Sequence, residues 1–272
     1  MNILNKLRLG GLFAVLIALF GGVGLYFGGA GGLIMGLVFA LLMNGVSYFY
    51  SHKIVVKMHR AQPMEGDTKI HTMVEELATK AGIPEPELYV MDTKTPNAFA
   101  TGRNPKHGVV CVTTGLMQNL SDDEIEGVLA HEIAHIKNRD TLIQAVAGTI
   151  AGGISILAQM LMFSTMSGEQ KNPMMAIAGM VLAPIAASVI KMAISRSREF
   201  SADATAATFT EPRYLADALK SIDRSVQQAP MEDGARGASH MFIINPFGGD
   251  SLSKLFSTHP PTEERIRRLE QQ

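Results

Sequence analysis

Apolar and polar positions fall in blocks along this chain rather than alternating evenly. No Asp, Glu, Lys or Arg occurs from Leu9 to His52, from Thr141 to Gly168, or from Asn172 to Ile190. At about 1.5 Å of rise per residue, the first block is long enough for roughly two crossings of a bilayer core about 30 Å thick. Seven glycines between Gly21 and Gly32 suit a tight turn in its middle. The pattern therefore predicts two spans, Leu9–Tyr26 and Leu33–Tyr50. A cleaved signal peptide does not fit, because the apolar run continues too far. Gly24, Gly28, Gly32 and Gly36 recur every four residues, which suits either a helix-packing face or the turn itself. The other two blocks predict a second, weaker hairpin, Thr141–Ser164 and Pro173–Ile190, broken by Gln144 and Gln159. Burial inside a helical protein is the alternative for that pair.

Between the blocks the periodicity changes. Asp67–Ala81 reads as an amphipathic helix with Ile70, Val74 and Leu77 on one face, ended by Gly82, Pro84 and Pro86. Glu87–Met91, Asn97–Thr101 and Gly108–Thr113 read as short strands, the last two joined by the turn-rich stretch Gly102 to Pro105. Ser121 with Glu124 three residues on is a capping box, and the helix it opens runs through Ile125, Val128, Leu129, Ile133 and Ile136. Beyond the last apolar block, helix is expected to about Phe209. Another opens at Pro212 with Leu215, Ala218, Leu219 and Ile222 on one face, and Thr262–Gln271 forms a short terminal one. Ala229–Thr258 is rich in Gly, Pro, Ser and Asn and reads as a long mobile segment.

Composition sharpens this picture. Charged residues make up 18% of the 272 and hydrophobic ones 47%, against about 25% charged in an ordinary soluble domain. Disorder is excluded by the apolar content. A net charge of −1 lacks the basic footprint of a nucleic-acid binder. The one cysteine, Cys111, rules out a disulfide framework and reads as a buried thiol. Basic residues cluster on one side of the apolar blocks, Lys6 and Arg8, then Lys53, Lys57 and Arg60, then Lys137 and Arg139, then Lys191, Arg196 and Arg198, while the turns on the other side carry nothing in one case and Glu169 with Lys171 in the other. By the positive-inside rule the basic side is the cytoplasm. The expected partition is residues 9–52 as an N-terminal transmembrane hairpin and 141–190 as a second. Residues 53–140 and 191–272 together form one discontinuous cytoplasmic domain.

The chemistry sits in the helix capped at Ser121. His131-Glu132-Ile133-Ala134-His135 places two imidazoles one turn apart on one face, within reach of a single zinc ion, with Glu132 offset by about 100° toward a water on that metal. Zinc needs a third protein ligand. No histidine stands at the spacing where some zinc proteases place it, since positions 138–141 are Asn138, Arg139, Asp140 and Thr141. Glu199 and Asp203, at i and i+4, offer two carboxylates on one face. One can bind metal and the other can hold a ligand histidine.

HEIAH, two apolar spans, SREFSAD and STHPP, in that order, resemble the HtpX family of bacterial membrane zinc metalloproteases, relatives of the CAAX prenyl endopeptidase. Asn97–Gly102 also resembles that family's strand before the active site. The resemblance covers essentially the whole chain. It implies one Zn2+ per chain held by His131, His135 and Glu199, with Glu132 as general base. It also implies an α+β, mainly helical fold: four transmembrane helices in two hairpins plus a cytoplasmic zincin-like metalloprotease domain with a small β-sheet. The implied activity is endoproteolysis of misfolded or damaged membrane proteins at the bacterial inner membrane. His259, in Ser257–Pro261, is expected either to stabilise the oxyanion or to serve as a loop-to-helix turn. Asp203 is expected to support a ligand histidine. Asn97–Thr101 is either an exposed edge that takes substrate by strand addition or a plain core strand. Protein or peptide substrates and the lipid bilayer are the expected partners, with no nucleic acid. A scaffold with a structural zinc is disfavoured, because such a site wants four protein ligands and would leave Glu132 no task. Broad and narrow cleavage specificity are not separated by the sequence.

Overall fold

The structure is a computed structural model that describes residues 3–66, 68–167, 177, 181–182, 196–228, 243 and 260–272. It is mainly helical with one small mixed sheet. Two compact units are present, Met1–Ser51 with Ile143–Ala193, and His52–Leu142 with Ile194–Gln272.

Helix α1 (Ile3–Met58), whose last residues from His52 belong to the second unit, is broken at Gly29, whose φ of 56° and ψ of −143° are open to glycine but strained for other residues. The chain reverses there, so Lys6–Tyr26 and Gly28–Tyr50 are two segments long and apolar enough to cross a membrane. They pack closely where side chains are absent. A Cβ on Gly24 would collide with the Gly32 carbonyl, and one on Gly36 with the Phe20 carbonyl. Gly28 meets nothing within 4 Å and belongs to the turn. The every-fourth-residue glycine pattern is thus three packing positions and one turn position. Asn44 Nδ2 donates to Phe13 O at 3.4 Å across the hairpin. Leu25, Ile34, Met35, Leu41 and Leu42 are all more than half exposed, an apolar surface that lipid would cover. Helix α5 (Asp140–Ser167) covers the third apolar block. The fourth block lies outside the described residues except at Ile177, Val181 and Leu182.

The second unit is built around helix α4 (Asp122–Asn138). Its N-terminus is closed as the Ser121 pattern predicts: Ser121 N–H donates to Glu124 Oε2 at 2.8 Å, and Glu124 N–H to Ser121 Oγ at 3.4 Å. Asp122, Asp123 and Glu124 place negative charge at the positive end of the helix dipole. Arg139 ends it in the left-handed region, φ 60°, a conformation that costs a non-glycine residue roughly 1–2 kcal/mol. Every residue from Gly127 to Ile136 is buried. The elements packed on α4 include helix α2 (Lys69–Ala81), with Ile70, Val74 and Leu77 facing the core as predicted. Helices α6 (Arg196–Ala206) and α7 (Pro212–Gln228) pack on it as well. Gly127 has room for hydrogen only, because the α7 backbone at Tyr214 and Leu215 lies against it. Helix α8 (Thr262–Leu269) packs on α7.

Four strands complete this unit in the order β1 (Gln62–Pro63), β2 (Glu87–Met91), β4 (Val109–Thr113), β3 (Ala98–Thr101). The β2–β4 pair is parallel and the outer two pairs are antiparallel. β3 starts one residue later than the apolar pattern suggests. Asn97 instead caps the strand, its Oδ1 accepting from Ala98 N–H at 3.0 Å. Among the described strands β3 is terminal in the sheet, yet all its residues are buried. Helix α3 (Thr114–Asn119) and the two-residue β1 were not foreseen. Cys111, on β4, is a buried free thiol whose pKa burial pushes up.

Candidate metal centre

Helices α4 and α6 bring the proposed ligands together. His131, His135 and Glu199 each offer one ligand atom, and these atoms lie within 4.8 Å of one another. His131 Nε2 is 3.1 Å from His135 Nε2. Glu199 Oε2 is 3.7 Å from His131 Nε2, and its Oε1 is 3.6 Å from His135 Nε2. A tetrahedral zinc with bonds of about 2.0–2.1 Å holds its ligand atoms roughly 3.3 Å apart. The spacing and the donor set, two imidazoles and a carboxylate, therefore fit zinc with one position left for water or substrate. All three residues are at most 5% exposed.

Each histidine is oriented from behind. Asp203, one turn after Glu199, lies 2.9 Å from His131 Nδ1, which fixes that proton and turns the Nε2 lone pair toward the ligand cluster. Asp140 Oδ2 lies 3.4 Å from His135 Nδ1 and serves the second ring in the same way. Asp203 therefore stands where a supporting carboxylate is expected, a choice that spacing alone left open between it and Glu199. Asp140 was missed, because the left-handed turn at Arg139 redirects the chain in a way that helical spacing does not reveal.

Arg265, on α8, was also missed. A fully buried arginine in a run reading Thr262 to Leu269 has no periodic signature. It grips Asp203 with two bonds, Nε to Oδ2 at 2.9 Å and Nη2 to Oδ1 at 2.7 Å. Its Nη1 donates to Ile243 O at 3.2 Å. Nη2 is also 3.3 Å from both ring nitrogens of His131, so the guanidinium rests against that ring. Arg265 is the direct cationic partner of Asp203, and it also lies 3.9 Å from Glu199 Oε2. Uncompensated charge at this depth would be costly.

The titrations follow from this arrangement. For His131, burial and the Arg265 charge push the pKa down, but hydrogen bonds to Asp203 and Glu199 and the Asp203 charge outweigh them and raise it to about 9. That is the response of an imidazole among carboxylates; a bound cation competes for the same lone pair. Burial raises Asp203, yet Arg265 and His131 hold it down at about 2. Burial pushes the Glu132 pKa up, helped by the Glu199 charge and opposed by the histidines and Arg265. A carboxylate raised above its ordinary range is a better base than an exposed one. His259 lies outside the described residues.

The chain is similar to known proteins over most of its length. The sequence model of Peptidase family M48 matches residues 64–272. A protein described as "Protease HtpX homolog" from Persephonella marina is 50% identical over 270 residues, covering 95% of this chain and 94% of its own length. One of the same description from Pyrococcus furiosus is 47% identical over 271 residues, covering 96% and 94%. "Protease HtpX" from Legionella pneumophila is 45% identical over 275 residues, covering 98% of each chain. Among solved structures, that of S. mikatae Ste24p aligns with a TM-score of 0.53 at 21% identity, covering 96% of this chain. The likeness there is one of fold, and this chain spans 63% of the length of that one.

Proposed function

The chain belongs to peptidase family M48 and is an HtpX-type membrane metalloprotease with a His131, His135 and Glu199 metal triad; on that premise, we propose that it is a zinc endopeptidase of the bacterial inner membrane cleaving misfolded or damaged membrane proteins at the cytoplasmic face. The observation that carries the chemistry is the convergence of three buried ligand atoms, with buried Glu132 next to His131 in the same helix. One Zn2+ per chain, when bound, would polarise the scissile carbonyl and lower the pKa of water. The protein's own groups do the rest. Glu132 takes the proton of the attacking water and returns it to the leaving amine. Asp203 and Asp140 hold the ligand imidazoles in their tautomers. Arg265 neutralises Asp203 and keeps it in place. His259 supplies an oxyanion donor.

The substrate lies along β3. Strand alternation turns the Ala98 and Ala100 backbone groups away from β4, because Asn97 O is already engaged by Thr113 N–H at 3.0 Å. Two alanines let a substrate backbone approach closely. Ile243 N–H already donates to Ala98 O at 3.3 Å and β3 is buried, so on this reading a substrate strand binds by displacing that contact.

Membrane placement is supported by the two apolar segments of α1 and by the basic flanks. We take residues 9–52 and 141–190 as two hairpins, giving four spans. Residues 53–140 and 191–272 then form the cytoplasmic protease domain. In sequence, α4 runs into the third span and Glu199 follows the fourth, which ties both metal-bearing helices to the bilayer. The test is cleavage by purified full-length protein in proteoliposomes, with unfolded casein and a co-reconstituted misfolded membrane protein as substrates. Chelation should abolish cleavage of both and zinc should restore it. Cleavage of casein alone would limit the membrane-substrate reading, and cleavage indifferent to chelation would refute the metal mechanism.

A further inference from the structure

A concave pocket of about 730 Å3 opens beside the last turns of α1. Lys53 and Lys57, one helical turn apart, and Arg60, just past the helix end, supply three exposed cations on one wall. Arg60 stands in the left-handed region, φ 52°, a conformation a glycine would adopt more easily. Tyr89 and Glu87 of β2 form the facing wall, with apolar surface from Val56. Glu87 is the only carboxylate among these lining residues, against three cations.

Depth matters as much as charge. The second apolar segment ends at Tyr50. At about 1.5 Å per residue, Lys53 stands roughly 4–5 Å and Lys57 roughly 10 Å further along α1, and a headgroup layer is about 5–8 Å thick. Lys53 falls within that layer, and Lys57 and Arg60 stand just beyond it, where long side chains can reach back to its phosphates.

We propose that this pocket is a phosphate site filled by the headgroup of an anionic phospholipid. The lysines and Arg60 contact the phosphodiester, while Val56 and Tyr89 cover the glycerol carbons. The proposal rests on α1 crossing the bilayer and is independent of the peptidase chemistry. A purely diffuse surface charge would attract the same lipids without a pocket, and the test separates the two.

The experiment is native mass spectrometry of the full-length protein, released from micelles containing equal phosphatidylglycerol and phosphatidylcholine. Wild-type protein should retain a phosphatidylglycerol adduct in preference to phosphatidylcholine. Lys53→Gln with Lys57→Gln should weaken that adduct roughly 30-fold, about fivefold per lysine. Lys69→Gln with Lys80→Gln on α2 makes the same change in net charge away from the pocket and should leave it intact. Equal losses in both double variants, or no loss in either, would overturn the proposal. Glu87→Gln, which removes the counter-charge without touching the cations, should tighten the adduct about fivefold, and an unchanged adduct there would also overturn it. Added inorganic phosphate or glycerol 3-phosphate separates the sources: if either binds as tightly as the lipid and no preference between the two lipids is seen, the pocket serves soluble phosphate and the lipid assignment fails.

Discussion

Asp203→Asn probes the support of the metal centre with little change in shape. The wild-type carboxylate meets Arg265 at 2.9 and 2.7 Å and His131 Nδ1 at 2.9 Å, all inside the protein. The amide keeps the volume but removes the charge, leaving the buried guanidinium without its main partner. Stranding one member of a buried ion pair costs about 3–5 kcal/mol. The metal is affected in the same direction by two routes: His131 loses the acceptor that fixes its tautomer, and a positive charge beside the site goes unbalanced. Loss of such a supporting carboxylate typically weakens metal affinity 10–100-fold. We expect zinc affinity, measured by chelator competition on the purified protein, to fall within or beyond that range. The double variant Asp203→Asn with Arg265→Met removes the stranded charge, so it should regain stability relative to the single variant without regaining the orientation of His131. Zinc affinity within twofold of wild type in Asp203→Asn would refute the positioning role. An equal or larger stability loss in the double variant would refute the stranded-charge argument.

Three further outcomes are expected. A reporter fused after Gln272 should be active only when it reads the cytoplasmic side, and activity on the outer side would contradict the proposed orientation. His59 stacks near Phe99 with ring centroids 5.0 Å apart, and burial lowers its pKa from 6.5 to about 4; because the unfolded chain binds the proton more readily, stability is full above about pH 6.5 and falls as pH drops toward 4, by at most about 3 kcal/mol, and His59→Phe should flatten thermal stability over that window. Gly127→Val should destabilise the protein by about 1–3 kcal/mol or more through collision with the α7 backbone, checked by thermal unfolding; a wild-type midpoint would mean that α4 and α7 do not pack as described.

What the sequence revealed depended on whether local spacing carried the information. The α4 cap, its buried face and the two histidines are legible because 3.6-residue periodicity and the Ser121–Glu124 pair are local signals. Glu199 and Asp203 share a face for the same reason. The glycine repeat in α1 shows the limit, since sequence spacing gives Gly28 and Gly32 the same weight and only the position of the turn separates them. Sheet order was not legible: the parallel pairing of Glu87–Met91 with Val109–Thr113 is a long-range choice, and Gln62–Pro63 is too short to carry a pattern. Arg265 was hidden because a buried arginine contradicts its ordinary exposure and is explained only by Asp203, 62 positions away in sequence. The expectations for Ala229–Thr258, apart from Ile243, and for His259 fall on residues outside the description.

The central claim is a zinc ion held by His131, His135 and Glu199 and used with Glu132 as the base. Its most direct test is to measure zinc content and casein cleavage together on one preparation of Glu132→Gln protein. The account predicts one zinc per chain, as in wild type, with turnover lowered about 10²–10⁴-fold. Cleavage at the wild-type rate by zinc-loaded Glu132→Gln protein would contradict it.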